Sequence, residues 1–146
     1  MPLTTSKTIS MHEIRYLNLF QQITHIYARY CFEYNQTLIF VAPSKLASKA
    51  IGEGGANVRK MSSILGKKVK VVAGDVSKDS GVDDLKKFIT QIVHPFTFQD
   101  IAMNDSEVIL TAGARNKATL IGRNKHRLLE LQHIVKEYLN KNLRII

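Results

Sequence analysis

The chain matches itself. Moving the 146-residue sequence against itself by 70 positions brings similar residues together without a gap. Ser10 meets Ser80, Glu13 meets Asp83, and Asn35 meets Asp105. Ile39 meets Ile109, Ala42 meets Ala112, Lys45 meets Arg115, Ile51-Gly52 meets Ile121-Gly122, and Ile64 meets Ile134. Self-similarity at a fixed period restricts the chain to architectures built from a repeated unit. A unit of about 70 residues buries little surface by itself, so two copies gain by packing together.

The local signals recur in the same order in each half. Ser10-Met11-His12-Glu13 has capping-box spacing, with Ile9 and Ile14 at the hydrophobic-staple positions. Apolar residues then return at Ile14, Leu17, Phe20, Ile23 and Tyr27, which is helical spacing. Ser80-Gly81-Val82-Asp83 opens the second half alike, followed by a stripe of Val82, Leu85, Phe88, Ile89 and Ile92, with Pro95 beyond its end. Two strands follow in each half. Tyr30, Phe32 and Tyr34 alternate, Asn35-Gln36 signals a turn, and Leu38 to Val41 is an apolar run. Phe96 to Met103, the turn Asn104-Asp105, and Val108 to Leu110 repeat the pattern.

A short helix, a tight loop, a longer helix and a last strand complete each copy. Ser44 to Ile51 and Ala114 to Ile121 are the expected short helices. The loops are Gly52-Glu53-Gly54-Gly55 and Gly122-Arg123-Asn124-Lys125. Val58, Met61, Ile64 and Leu65 line the first longer helix, which Gly66 stops. Leu128, Leu131, Ile134, Val135 and Tyr138 line the second. Lys67 to Val72, alternating Lys with Val, and Leu143 to Ile146 are the closing strands. The expected boundaries are a tail over 1–9, a first domain over 10–75 and a second over 76–146. Ala73 to Ser80 forms the joint, too short for a long flexible linker.

Charge is concentrated around the loops. The chain carries a formal charge of +9, with 21 Lys plus Arg against 12 Asp plus Glu, and such a balance points to an anionic partner, most often nucleic acid. Residues 44–70 hold seven Lys/Arg against the single acid Glu53, and residues 113–144 hold eight against Glu130 and Glu137. Lys45 and Lys49 are spaced to share one helical face before the first loop, and Arg59 and Lys60 follow it. Arg115 and Lys117 precede the second loop, while Arg123, Lys125 and Arg127 lie in it or just after it. A glycine turn between two helices lets backbone approach a ligand closely, and the following helix offers free N–H groups and the positive end of its dipole. That chemistry suits phosphate.

At Ile51-Gly52-Glu53-Gly54-Gly55 the chain resembles the I-G-x-x-G loop of KH RNA-binding domains. The order of elements before it is similar to that of the prokaryotic, type II KH fold. Two such units with little else resemble the archaeal NusA-like transcription termination/antitermination family, over residues 10–146. Bacterial NusA has further domains, for which this sequence is expected to have no room. The resemblance implies an α+β fold of two tandem type II KH domains, each a three-stranded sheet packed against three helices. It implies that single-stranded RNA is the partner, with each loop clamping about four nucleotides. It implies Ile51 and Ile121 as groove floor, and a role in transcription regulation touching RNA polymerase or ribosomal components. The RNA-binding set expected here is Lys45, Lys49, Ile51, Gly52, Glu53, Gly54, Gly55, Arg59 and Lys60. In the second copy it is Arg115, Lys117, Ile121, Gly122, Arg123, Asn124, Lys125 and Arg127.

Two residues depart from the motif. Glu53 puts a carboxylate where family loops often carry Lys or Arg, which predicts weaker phosphate binding by the first loop. Lys125 replaces the last glycine of the second loop, where a Cβ is expected to alter the backbone clamp. The second loop is then expected to bind mainly through side chains and the first mainly through backbone. An assembly protein of the ribosome, contacting folded RNA by shape, is the alternative reading.

Other chemistries lack their residues. Gly113 to Thr119 misses the second glycine of a P-loop, and Gly52, Gly54 and Asn57 do not complete a dinucleotide-binding fingerprint. The one cysteine, Cys31, reads as a packed strand residue and excludes an internal disulfide. His126 and His133 are too far apart along one helix to chelate a single metal ion. Asp75, Asp79, Asp83 and Asp84 cluster near the joint, where the helix start accounts for two of them. No enzyme, cofactor or metal site is expected. Without a long apolar span or an apolar leader, a cytoplasmic monomer away from membranes is the expectation.

Overall fold

The computed structural model describes residues 11–75 and 81–146, which form two compact units dividing after Asp75. The first contains α1 (Met11–Thr24), β1 (Tyr30–Tyr34), β2 (Thr37–Ala42), α2 (Ala47–Ile51), α3 (Ala56–Leu65) and β3 (Lys68–Ala73). The second contains α4 (Val82–Val93), β4 (Asp100–Met103), β5 (Glu107–Thr111), α5 (Lys117–Ile121), α6 (His126–Leu139) and β6 (Asn142–Ile145). A single 3-10 turn separates the last two helices of each unit, at Glu53–Gly55 and Arg123–Lys125. The chain is therefore α+β, with two three-stranded sheets ordered β1-β2-β3 and β4-β5-β6. In each sheet the first two strands pair antiparallel and the third joins the middle strand in parallel. Ile9, Ser10, Asp79 and Ser80, and with them both expected capping signals, lie outside the described residues.

Local chemistry explains the turns. Asn35 and Gln36 both take positive φ, 52° and 62°, the requirement of a two-residue hairpin whose twist matches its strands. In the second unit the Asn104 side chain accepts from the backbone N–H groups of Ser106 (2.9 Å) and Glu107 (2.8 Å), an Asx-type turn. The Lys141 ammonium closes that turn by donating to the carbonyls of Asn104 (2.9 Å) and Asp105 (3.0 Å).

One apolar cluster holds the first unit together. Phe20 from α1, Cys31 from β1, Leu38, Phe40 and Ala42 from β2, Ala47 and Ala50 from α2 and Met61 from α3 pack as one core. Phe20 and Phe40 stack with ring centroids 4.8 Å apart. Val69 and Val71 of β3 press on the same cluster, so the sheet buries one face under all three helices. Burying side chains as large as Phe20, Phe40 and Met61 stabilises the unit by about 2–3 kcal/mol each. The second unit buries Leu85, Phe88, Ile89 and Ile92 of α4, Leu120 of α5, and Leu131, Ile134, Val135 and Leu139 of α6. Its strands bury Ile101, Val108, Leu110, Leu143 and Ile145.

Several boundaries differ from those the sequence suggests. Helix α1 stops at Thr24, whose hydroxyl donates to the Phe20 carbonyl (2.7 Å) and accepts from the Ile26 N–H (3.1 Å). His25 then turns to positive φ, so Tyr27 is not part of the helix and is 79% exposed. The short helices begin at Ala47 and Lys117, because Ser44–Leu46 and Ala114–Asn116 form turns closed by Leu46 N–H to Pro43 O and Asn116 N–H to Gly113 O. Strand β4 begins at Asp100, because Phe96 instead folds back on the end of α4, its N–H donating to the Val93 carbonyl (2.9 Å). The spacing of 70 holds from β1 to the loop and then fails. Helix α6 has 14 residues where α3 has 10, one extra turn. Lys68 therefore corresponds to Asn142, as the pairs Thr37–Lys68 and Glu107–Asn142 show. No described helix is long and apolar enough to cross a membrane.

Candidate nucleic-acid interface

The two loops follow one backbone path. Gly52 and Gly122, closing α2 and α5, adopt φ/ψ of 84°/164° and 78°/171°. Gly54 and Asn124 adopt 62°/21° and 55°/28°. Gly55 and Lys125, opening α3 and α6, adopt 77°/20° and 60°/24°. The same bond closes each turn, Gly55 N–H to Gly52 O at 3.0 Å and Lys125 N–H to Gly122 O at 3.1 Å. The Lys125 Cβ therefore leaves the backbone path of the turn as it is at Gly55. It takes the left-handed conformation at a cost of about 1–2 kcal/mol.

Neither Gly55 nor Lys125 supplies a side-chain cap, and the first N–H of each helix, that of Ala56 or His126, donates to the Glu53 or Arg123 carbonyl. A helix start directs the positive end of its dipole outward. In both units these starts sit beside the loop.

The expected site residues distribute around the turns as follows. Glu53, Gly54, Arg123, Asn124 and Lys125 are exposed at the tips. Gly52, Gly55, Gly122, Ile51 and Ile121 are half-buried below them, the isoleucines ending α2 and α5. Lys49 stands in the last turn of α2, while Lys45 lies in the turn before it and so off the helix it was expected to share. Lys117 opens α5, and Arg115 lies in the turn ahead of it. All four of these cations are exposed, as is Lys60 on α3.

Two of the expected cations are engaged by their own unit. Arg59 donates through Nη1 to the Gly54 carbonyl, tying the loop to the first turn of α3. Arg127 is half-buried. Its Nη1 donates to the Thr119 carbonyl at 2.7 Å, and its guanidinium lies 4.5 Å from the Phe96 ring centroid. Asn57 occupies the matching place in the first unit, its Nδ2 donating to the Lys49 carbonyl at 3.4 Å. Sequence reading missed Asn57 and Phe96. The shift of 70 does align Asn57 with Arg127 and Lys49 with Thr119, but an amide and a guanidinium look unrelated until their shared acceptor is seen.

Outside the loops one lysine ties strand to helix. The Lys67 ammonium binds the Glu33 carboxylate at 2.7 Å and lies 5.4 Å from the Tyr16 ring. That carboxylate is the main cause holding the ammonium above its ordinary pKa. Half-burial in β3 pushes the Lys70 ammonium down. His126 and His133 are exposed on α6, each beside a glutamate four residues on, at 3.5 and 3.9 Å. Among the described residues no group of three or more His, Cys, Asp or Glu could hold a metal ion.

No protein-family model matches the chain. The crystal structure of APE1850 superposes with a TM-score of 0.66 at 23% identity, covering 94% of this chain and all of that one, which shows a shared fold. A probable transcription termination protein NusA of Methanococcus vannielii is 25% identical over 118 residues, 78% of this chain. The match spans 64% of that relative's length. The resemblance read from the loops and the duplication thus has a sequence counterpart: over most of its length the chain is similar to an archaeal NusA.

Proposed function

We propose that the chain binds single-stranded RNA through two type II KH modules, residues 10–75 and 76–146, and acts in transcription termination or antitermination. The observation that carries this reading is the shared backbone path of the two loops, each placed between a cation-bearing short helix and the start of a longer helix. In this reading the loop amides that do not close the turn and the positive dipole ends of α3 and α6 hold phosphates. Lys45, Lys49, Arg59 and Lys60 in one unit, and Arg115, Lys117, Arg123, Asn124 and Lys125 in the other, add charge and hydrogen bonds. Ile51 and Ile121 support the bases of about four nucleotides per module. The name of the Methanococcus vannielii relative supports the transcriptional role, and a contact with RNA polymerase extends it.

The test is a titration of a fluorescent single-stranded RNA of about ten nucleotides. It compares the wild type with two double variants, Glu53→Asp/Gly54→Asp and Arg123→Asp/Asn124→Asp. Nothing lies within 4 Å of a Cβ placed at Gly54, and Asp tolerates positive φ, so the fold survives these changes. Added carboxylates at the tips should weaken binding about tenfold or more, with circular dichroism unchanged. Unchanged affinity in both variants sinks the reading. Preference for duplex RNA would point to recognition by shape instead.

A further inference from the structure

We propose that Arg127 positions the second loop and does not touch RNA, which makes Phe96 part of the same device. The inference rests on the loop being the RNA site, but its geometry stands independently. The carbonyls at the end of a helix lack intrahelical partners, and α5, at five residues, is too short to hold its end rigid alone. In both units a side chain from the helix after the loop supplies the missing donor. Asn57 reaches Lys49 O, and Arg127 reaches Thr119 O. The donor residue also packs where the first loop glycine lacks a Cβ. A Cβ at Gly52 would stand 3.0 Å from Asn57 Cγ, and one at Gly122 would stand 3.0 Å from Arg127 Cγ. Glycine and donor therefore form one joint, which sets the angle between the helices flanking each loop.

Asn57 does this with a neutral amide, so the joint does not require charge. The guanidinium of Arg127 adds a second anchor, the face of Phe96, beyond the end of α4. With one edge bonded to Thr119 and one face on an aromatic ring, the group is half-withdrawn from solvent. Arg123 and Lys125 have no such partners among the described residues and stay exposed at the tip. A rigid guanidinium fork can bond and stack at once, whereas an ammonium cannot do both in this geometry. Arg127→Lys therefore separates the two roles: it keeps the charge and loses the anchor. Phe96→Leu removes the ring and leaves every charge in place.

Two measurements test the proposal. In the RNA-free protein, amide exchange at Lys125, whose N–H closes the turn, should accelerate about tenfold in Arg127→Lys and in Phe96→Leu, with circular dichroism unchanged. In the RNA titration both variants should weaken binding about fivefold. An Arg127 that instead binds phosphate predicts the opposite: near-wild-type binding for both variants, because the charge remains. Wild-type exchange at Lys125 in Arg127→Lys, or wild-type RNA affinity in Phe96→Leu, overturns the proposal. If the wild type binds no single-stranded RNA, the functional reading falls, and the exchange measurement still decides whether Arg127 holds the loop.

Discussion

At Gly52 two demands meet. Its φ/ψ of 84°/164° lies where residues with a side chain are strained, and a Cβ there would stand 2.9 Å from the Asn57 nitrogen. Gly54 faces only the first demand, since the space around it is open, and its counterpart Asn124 carries a side chain at nearly the same torsions. Gly52→Ala should therefore cost about 2–3 kcal/mol, while Gly54→Asn should stay within about 0.5 kcal/mol of the wild type. Urea unfolding of the two variants checks this; equal losses would mean that backbone torsion alone governs the loop. At this scale the sequence was legible where glycine was required twice over. At Lys125 the sequence pointed to a conformation that a Cβ disfavours, and the residue adopts it, with φ of 60°.

Among the elements, the strands and hairpin turns were readable because alternation and Asn-rich turns are local signals. Cys31 packs in the first core, 3% exposed, as its place among strand aromatics suggested. What escaped was set by partners. The end of α1 depends on the Thr24 hydroxyl and the left-handed His25, neither of which breaks the apolar stripe that ran on to Tyr27. The extra turn of α6 was legible in the apolar stripe that runs on to Tyr138, but the ungapped comparison did not show it, because one helical turn preserves the face on which Leu128, Leu131, Ile134 and Val135 lie. Lys67 is read best as a tie between elements: its ammonium joins Glu33 of β1 and Tyr16 of α1. Because the folded-state pKa of Lys67 is raised, the stability it adds is fully present below the ordinary lysine value of 10.5. That contribution is lost as pH climbs through the raised folded value. The pair is partly exposed, so Glu33→Gln should cost under about 1 kcal/mol at neutral pH. Its stability difference from the wild type should stay level to about pH 10 and shrink above it. A difference that instead vanished between about pH 7 and 9 would show that the ion pair is not its source.

Across the whole molecule the formal charge of +9 overstates what is free to meet a ligand. Lys67 is paired with Glu33, Arg144 lies 3.3 Å from Glu107, Lys141 is tied to two carbonyls and Arg127 to Thr119 and Phe96. Among the described residues, Lys45, Lys49, Lys60, Arg115, Lys117, Arg123 and Lys125 make no such contact and lie in or beside the two loops, while Arg15, Lys68, Lys87 and Lys136, likewise without such a contact, are scattered over α1, β3, α4 and α6. Each unit thus has a cationic centre of its own, one around a loop bearing Glu53 and one around a loop bearing Arg123. Two centres of unequal charge predict a particular stoichiometry. RNA of about four nucleotides, the length one module holds, should bind at two places on each chain with unequal affinity. Arg123→Gln/Lys125→Gln should weaken the tighter of them and reduce the magnitude of its salt slope by about 0.7 for each phosphate that is no longer neutralised. Glu53→Arg should raise the affinity of the weaker site and steepen its slope by a similar amount. Calorimetric titration at two or three salt concentrations reads all of these quantities. A single site per chain that responds to neither substitution would show that the loops are not where the free charge acts.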